Sequence, residues 1–262
     1  IFCRWHLCTT ELCFIYDSVY DFLLGFLMNL TDLLRTDAHI VSVVGSGGKS
    51  TLVNELAREL GCTVVIATST HMLAPDGCPL LLDTSELNVK QALWYTRVVC
   101  VGNRAPGAEG AVGKLCAPSL GFGTLAMLAD RVLVEADGAH RLPLKAHAAH
   151  EPVVPAESGQ TIQVVGASGF GGRVGKVVHR PELMCKAVGC SVDDECTPEL
   201  YARFVAAEHA ADVVRADNVV VNQVDDQGGV ELAARFALAL RTCGDETPVA
   251  AGSVREHRLV QV

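Results

Sequence analysis

The chain has few aromatic residues and no excess of basic charge. Phe, Trp and Tyr make up 5% of its 262 residues, and 21 Lys and Arg stand against 30 Asp and Glu, which gives a net charge of −9. A nucleic-acid-binding protein usually carries a basic patch, so this composition indicates no nucleic-acid partner. The longest apolar stretch, near the start of the chain, is interrupted by Asp17 and Asp21. It falls short of the ~20 apolar residues of a membrane span, and we expect no membrane role.

The eleven cysteines include no Cys-x-x-Cys pair, and several lie inside apolar runs. This pattern is typical of a reducing compartment, and we expect a cytoplasmic protein. Two groups of potential metal ligands lack a recognised zinc spacing, so we interpret them as surface histidines and core cysteines. They are His140, His147 and His150, and Cys185, Cys190 and Cys196 with His179.

A glycine-rich segment gives the strongest functional signal. It follows the apolar run 40–44, precedes a stretch with helical spacing at 52–60, and reads Gly45-Ser46-Gly47-Gly48-Lys49-Ser50-Thr51. Glycines let backbone N–H groups converge on an anion, and a helix N-terminus adds partial positive charge. Lys49 would reach the terminal phosphates, and the Ser50 hydroxyl would ligate Mg²⁺. A full Walker A loop begins with a glycine where Val43 stands, so this phosphate loop is shortened. We predict ATP or GTP as ligand.

Apolar runs alternate with helical patterns along the rest of the chain. We predict an α/β fold with a doubly wound, mostly parallel sheet of the P-loop NTPase type and an irregular capping insertion around 140–195. The predicted strands are 40–44, 63–67, 98–101, 131–136, 162–165, 219–222 and 249–251. The predicted helices are about 50–60, 86–94, 118–129, 181–187, 198–209 and 229–241.

The first 27 residues differ in composition from the remainder. They hold seven of the fourteen aromatic residues and three of the cysteines, and the chain begins with Ile. We interpret residues 1–27 as an atypical N-terminal extension, with a native start at Met28. Residues 28–262 are then expected to form a single P-loop nucleotide-binding domain.

Two carboxylates end the predicted strand 131–136. Glu135 and Asp137 are two residues apart, so both project to the same side of the sheet. An acidic residue at a strand tip holds Mg²⁺ in phosphoryl-transfer sites. We predict Asp137 as a magnesium ligand beside Ser50, and Glu135 as the group that polarises a water or a substrate hydroxyl. Two solvated acids at a strand end are the alternative.

A second pair follows the strand 219–222. Asn222 and Asp225 resemble the guanine-reading NKxD motif of GTP-binding proteins, with Gln223 in place of the lysine. Both are nucleotide-binding candidates, although Asn and Asp at a strand end also form ordinary turns.

Further candidates lie on loops. Thr70 would sense the γ-phosphate or a second substrate and His71 would orient the attacking group, unless the segment simply forms a hydroxyl-capped turn. Arg141 and Lys145 would bind an anionic second substrate or act on the γ-phosphate. A solvated basic loop is the alternative for both.

From Met28 onward the chain resembles the selenium-dependent hydroxylase accessory proteins of the YqeC type. The similar segments are 41–52, 67–71, 132–139, 141–146, 150–153, 178–183, 222–226 and 251–253. The resemblance implies a cytoplasmic P-loop protein linked to the maturation of selenium-dependent molybdenum hydroxylases, one of which would be its client. The chain departs from the family pattern at Ser50, Ser69, His147, Ala149 and Gln223.

Two functions are compatible with these patterns. The first is an Mg²⁺-dependent NTPase or phosphoryl-transfer enzyme that uses Lys49, Glu135, Asp137 and His71. The second is a nucleotide-gated binding module that docks a client hydroxylase with little or no turnover. The shortened loop also allows a ligase that forms an acyl phosphate.

Overall fold

The computed structural model describes residues 29–105 and 114–262. The predictions for residues 1–27 and for a start at Met28 lie outside these ranges. The strands are β1 Ile40–Gly45, β2 Val64–Thr68, β3 His71–Leu73, β4 Leu80–Leu82, β5 Val98–Arg104, β6 Lys114–Cys116, β7 Arg131–Glu135, β8 Leu144–Lys145, β9 Gln160–Gly166, β10 Val178–His179, β11 Asn218–Asn222, β12 Val249–Ser253 and β13 Arg258–Gln261.

Eight α-helices lie in the described part of the chain. They are α1 Leu30–Leu33, α2 Lys49–Glu59, α3 Glu86–Tyr95, α4 Phe122–Leu128, α5 Val174–Val177, α6 Pro181–Val188, α7 Pro198–Ala210 and α8 Gln227–Thr242. Short 3₁₀ turns occupy Ala167–Gly169 and Val254–Glu256. No helix within residues 29–105 and 114–262 has the length and apolar character needed to cross a bilayer.

The main sheet has the order β13-β12-β11-β9-β1-β7-β2-β5-β6-β3, with β4 beside β5. All neighbours from β12 to β5 run parallel, and the antiparallel pairs lie at the two edges. The predicted α/β fold with a mostly parallel sheet is confirmed. Strand β1 lies between β7 and β9, so the loop that follows β1 opens at the same edge as the ends of those two strands.

The central parallel strands of the sheet, among them β1, β2, β7 and β11, are buried on both faces, as is typical of strands that are nearly continuous apolar runs. Every residue of β1 is buried. Val41 and Val43 pack in one core cluster with Leu52 of α2, while Ile40 and Val44 belong to a cluster on the other face. The apolar stripe of α2 therefore fixes the helix directly against the strand that precedes it.

The predicted capping region around 140–195 has an ordered strand inside it. Strand β9 joins the main sheet between β1 and β11, in agreement with the apolar pattern predicted for 162–165. The capping elements therefore come from the segments on either side of β9. Among them, β8 and β10 pair in a separate two-stranded sheet, in which His179 lies opposite Lys145.

Candidate functional site

The turn between β1 and α2 requires glycine at several positions. Gly45, Gly47 and Gly48 have φ angles of +89°, +90° and +124°, a region that residues with a Cβ rarely adopt. A Cβ on Gly47 would lie 2.3 Å from the Cα of Gly166 in the neighbouring strand. Within the described residues, the N–H groups of Gly45 and Ser46 have protein acceptors. Those of Gly47 and Gly48 have none there, so they are available to an anion.

Lys49 begins helix α2 and is almost fully buried. Its Nζ donates to the carbonyl oxygen of Gly45 at 2.8 Å and lies 3.1 Å from Oδ1 of Asp137. It is 4.0 Å from Oε1 of Glu135. The lysine therefore lies across the base of the loop, where its charge is balanced by a buried carboxylate.

Ser50 and Glu135 form the polar pair at the surface of the cleft. The Ser50 hydroxyl donates to Oε2 of Glu135 at 2.7 Å, and both residues line the cleft. Burial raises the pKa of Glu135 above its usual range, and this effect outweighs the opposing influences of Lys49 and the Ser50 hydrogen bond. The carboxyl group is therefore held in an environment that favours a proton or a cation.

Asp137 lies behind the loop and is completely buried. Its Oδ2 accepts a hydrogen bond from the Gly45 N–H at 2.8 Å and lies 3.1 Å from Nζ of Lys145 and 2.9 Å from Nε2 of His147. Burial alone would raise its pKa, but Lys49 and then His147 and Lys145 hold the pKa well below its usual range. Asp137 is absent from the cleft lining, whereas Glu135 is part of it.

Lys145 and His147 extend this buried charge network. Lys145 is fully buried, and its Nζ lies 2.7 Å from Oε2 of Glu151. His147 Nδ1 lies 2.9 Å from Oε2 of Glu208 on α7. Burial would lower the pKa of His147, but hydrogen bonds to Asp137 and Glu208 raise it. The interpretation of His147 as a surface histidine is wrong, because two carboxylates enclose the ring inside the protein.

The cleft beside the loop has a volume of about 660 Å³. Of the loop residues predicted as site residues, Thr70, His71 and Arg141 line it, while Lys145 does not. Within the described residues the Thr70 hydroxyl is buried without a hydrogen-bond partner. Other lining residues were not predicted as site residues: Met72, Leu73, Lys114, Gly138, Ala139, His140, Leu142, Pro143, Glu151, Ser168, His179, Arg180 and Gln223.

Asn222, the last residue of β11 in the same sheet, supports the loop. Its Nδ2 donates to the carbonyl oxygen of Gly47 at 2.8 Å, and its Oδ1 accepts from the Val254 N–H at 3.0 Å. Asp225 is exposed and does not line the cleft. The two residues of the predicted base-reading pair therefore occupy different environments, and base contact by them stays a prediction.

Comparison with known proteins identifies the family. The model of the YqeC protein family matches residues 41–182, which include the loop, both strand-end carboxylates and all cleft-lining residues except Gln223. The chain belongs to the YqeC family. The resemblance inferred from the sequence segments is thereby confirmed.

The chain is 30% identical over 159 residues to the uncharacterized protein YqeC of Escherichia coli strain K12. This alignment covers 59% of the chain and 62% of that YqeC protein. The crystal structure of FtsY from Mycoplasma mycoides aligns over 100% of this chain and 75% of its own, with 13% identity and a TM-score of 0.38. That likeness is too low to support an argument. The P-loop-like character of this YqeC chain rests instead on its own strand, glycine loop and helix.

Proposed function

We propose that the chain binds Mg²⁺ and a nucleoside triphosphate, ATP or GTP, in the cleft and acts as an NTPase or a phosphotransferase. The observation that carries the proposal is the grouping of the Gly47 and Gly48 amides, the Lys49 ammonium group and the Ser50–Glu135 pair at one end of this cleft. Amides at a helix N-terminus next to a lysine favour a polyphosphate. A cleft of about 660 Å³ also falls within the usual size range of small-molecule sites.

The residues present fit a magnesium ion. Mg²⁺ in nucleotide sites is usually held by one or two protein oxygens together with phosphate and water. Ser50 Oγ and the Glu135 carboxylate provide such oxygens side by side at the cleft surface. No cluster of three or more His, Cys, Asp or Glu side chains able to hold a metal occurs in residues 29–105 and 114–262. The ion, when bound, would neutralise charge on the phosphates.

The chain's own groups divide the remaining work. The free amides of the loop would hold the phosphates, and Lys49 would turn from its internal acceptors to neutralise their charge. In the segment that follows β2, Thr70 would contact the γ-phosphate or a second substrate, and His71 would orient the attacking group. Asp137 keeps its sequence-based assignment as a magnesium ligand only if the loop opens. Its contacts in the structure favour a role in positioning Gly45 and Lys49.

The cellular role follows from the family resemblance. We propose that the nucleotide-bound protein acts in the maturation of selenium-dependent molybdenum hydroxylases, with such a hydroxylase as client. The cysteines in the described part of the chain are free thiols, which suits the reducing cytoplasm proposed for the protein. The chain spans 62% of the length of its E. coli relative, and an activity of that whole protein is part of the proposal.

One observation favours a nucleotide-gated binding module as the second candidate. The Lys49 ammonium group is already engaged by Gly45 and Asp137. A nucleotide that draws the lysine away must therefore rearrange the base of the loop. Such a rearrangement can control docking without turnover.

Phosphate release from ATP and from GTP, measured separately with Mg²⁺ and with a chelator, tests the proposal. We expect Mg²⁺-dependent release that falls by about 10²-fold or more in Lys49→Ala, the scale for removal of one transition-state contact. Lys90→Ala, which removes a lysine from the exposed side of α3, should release phosphate like the wild type. Tight binding of a fluorescent nucleotide without release would favour the binding module. Failure of both nucleotides to bind would overturn the proposal.

A further inference from the structure

Four residues outside the phosphate loop form one basic and aromatic part of the cleft. We call His140, Arg141, His179 and Arg180 the histidine–arginine wall. The pairing of β8 with β10 brings the two halves of the wall together, because His140 and Arg141 lie shortly before β8, while His179 ends β10 and Arg180 follows it. The His140 and His179 rings stack with their centroids 4.7 Å apart.

The charge of the cleft is opposite to that of the chain. Among the described residues, four Lys and Arg line it, Lys49, Lys114, Arg141 and Arg180, against the two carboxylates Glu135 and Glu151. This leaves an excess of two positive charges in a chain whose net charge is −9. A cleft that concentrates the minority charge attracts anions. Of these four basic residues only Lys49 belongs to the phosphate loop, so most of the positive charge lies elsewhere.

The backbone of the wall is held in an uncommon conformation. His140, Arg141 and Arg180 have φ angles of +48°, +63° and +61°, in the left-handed region that side chains disfavour. Such conformations persist where the surrounding structure imposes them, and they cluster at ligand sites. Arg180 pairs with Glu151, whereas Arg141 is exposed and makes no ion pair within the described residues. Its guanidinium group is therefore available for a ligand.

The environment of His179 supports the same conclusion. Burial, together with the neighbouring Arg180, His140 and Lys145, lowers the pKa of His179 to about 4, whereas Glu151 acts in the opposite direction. A bound anion would favour the imidazolium form and raise this pKa. Imidazole and guanidinium N–H groups are directional donors that suit oxygen anions.

We propose that the histidine–arginine wall binds a small oxyanion, which is the second substrate beside the nucleotide. The proposal rests on the proposed function, because it takes the phosphate loop as the place of the nucleotide. It assigns the wall to a separate ligand that carries its own negative charge. Inorganic phosphate serves as the probe.

The test is a calorimetric titration of phosphate into the full chain saturated with Mg²⁺ and a non-hydrolysable nucleotide. We expect one phosphate site, with the dissociation constant raised about tenfold or more in Arg141→Gln and in His179→Gln. Arg203→Gln removes the same charge as Arg141→Gln from an exposed position on α7, and should leave the affinity unchanged. Thermal melting and retained nucleotide binding verify that each variant is folded. In NMR titrations the pKa of His179 should rise when phosphate binds.

Three outcomes would overturn the inference. If phosphate bound the wild-type protein only in the absence of nucleotide, and did not bind the Lys49→Ala variant, it would occupy the phosphate loop and not the wall. The proposed function would survive that result. If neither wall substitution changed the phosphate affinity, the phosphate would bind outside the wall and would be an adventitious ion only. Absence of phosphate binding to the nucleotide-bound protein would remove the second site. Phosphate binding to the wall without nucleotide binding anywhere would instead refute the proposed function.

Discussion

Replacement of Asp137 by Asn should destabilise the fold strongly. The carboxylate is fully buried, accepts from the Gly45 N–H, and faces Lys49, Lys145 and His147 at 3.1, 3.1 and 2.9 Å. Asn preserves the size but removes the charge that these groups share. Breaking a buried ion pair on one side costs about 3–5 kcal/mol, because the remaining charges lose their compensation. We expect a loss of this order in the free energy of unfolding.

Urea unfolding at near-neutral pH, followed by circular dichroism, measures the effect. With a slope of about 3 kcal/mol per molar urea, the midpoint should fall by about 1–2 M. Asp193→Asn is the matched control, since Asp193 and its partner Arg173 are exposed and lie 3.6 Å apart. That substitution should change stability by less than about 1 kcal/mol. If Asp137→Asn shifted the midpoint no more than the control, the network would not stabilise the loop, and the reasoning would be refuted.

Three further predictions concern the same region. Gly47→Ala should lower stability by more than about 2 kcal/mol and abolish nucleotide binding, because its Cβ would meet the Gly166 backbone; a soluble variant with normal affinity would contradict this. Asn222→Ala should cost about 1–3 kcal/mol and weaken nucleotide binding measured by fluorescence, since it removes the support of the Gly47 carbonyl; unchanged affinity would contradict it. Burial would raise the pKa of Glu151, but hydrogen bonds from Arg180 and Lys145 lower it. The Glu151 carboxylate therefore stabilises the fold above the pKa that it has in the unfolded chain, and this stabilisation is lost as pH falls below about 4. Urea midpoints across this range should therefore depend less on pH in Glu151→Gln, and an unchanged slope would count against the prediction.

The elements of the fold that depend on residues close together in the sequence were predictable from it. The apolar run before Gly45 and the helical spacing after Lys49 define β1 and α2 because strand and helix periodicities are local properties. The location of the strand-end carboxylates near the glycine loop also followed, since parallel strands end at the same edge of a sheet. These relations require only the chain order and the strand direction. The sequence placed Asp137 beside Ser50, whereas the Ser50 hydroxyl donates to Glu135 in the structure.

The roles of the two strand-end carboxylates required the tertiary structure. Alternation along a strand places Glu135 and Asp137 on the same side, but β7 ends at Glu135. Beyond the strand, Asp137 turns inward toward the Gly45 amide, and nothing in the local pattern determines that turn. The burial of Lys145 and His147 likewise depends on tertiary contacts: Lys145 pairs with Glu151, and His147 pairs with Glu208, which is 61 residues away in the sequence.

The sequence assigned Arg141 to an anionic second substrate, but the grouping of all four residues of the histidine–arginine wall required the tertiary structure. Its residues come from two segments separated by strand β9, and neither segment alone has the spacing of a known binding motif. The pairing of β8 with β10 brings them together. The prediction that Arg141 binds an anionic second substrate was the available signal.

Helix α7 contributes no residue to the cleft lining, yet it is connected to the glycine loop through buried side chains. Glu208 accepts from the His147 backbone N–H at 2.8 Å and holds the ring at 2.9 Å, and the other side of that ring touches Asp137. The His147 imidazole thus connects helix α7 to Asp137, whose carboxylate accepts the hydrogen bond from the Gly45 N–H. Random mutagenesis scored for failed nucleotide capture should therefore recover substitutions at Glu208 as well as in the glycine turn.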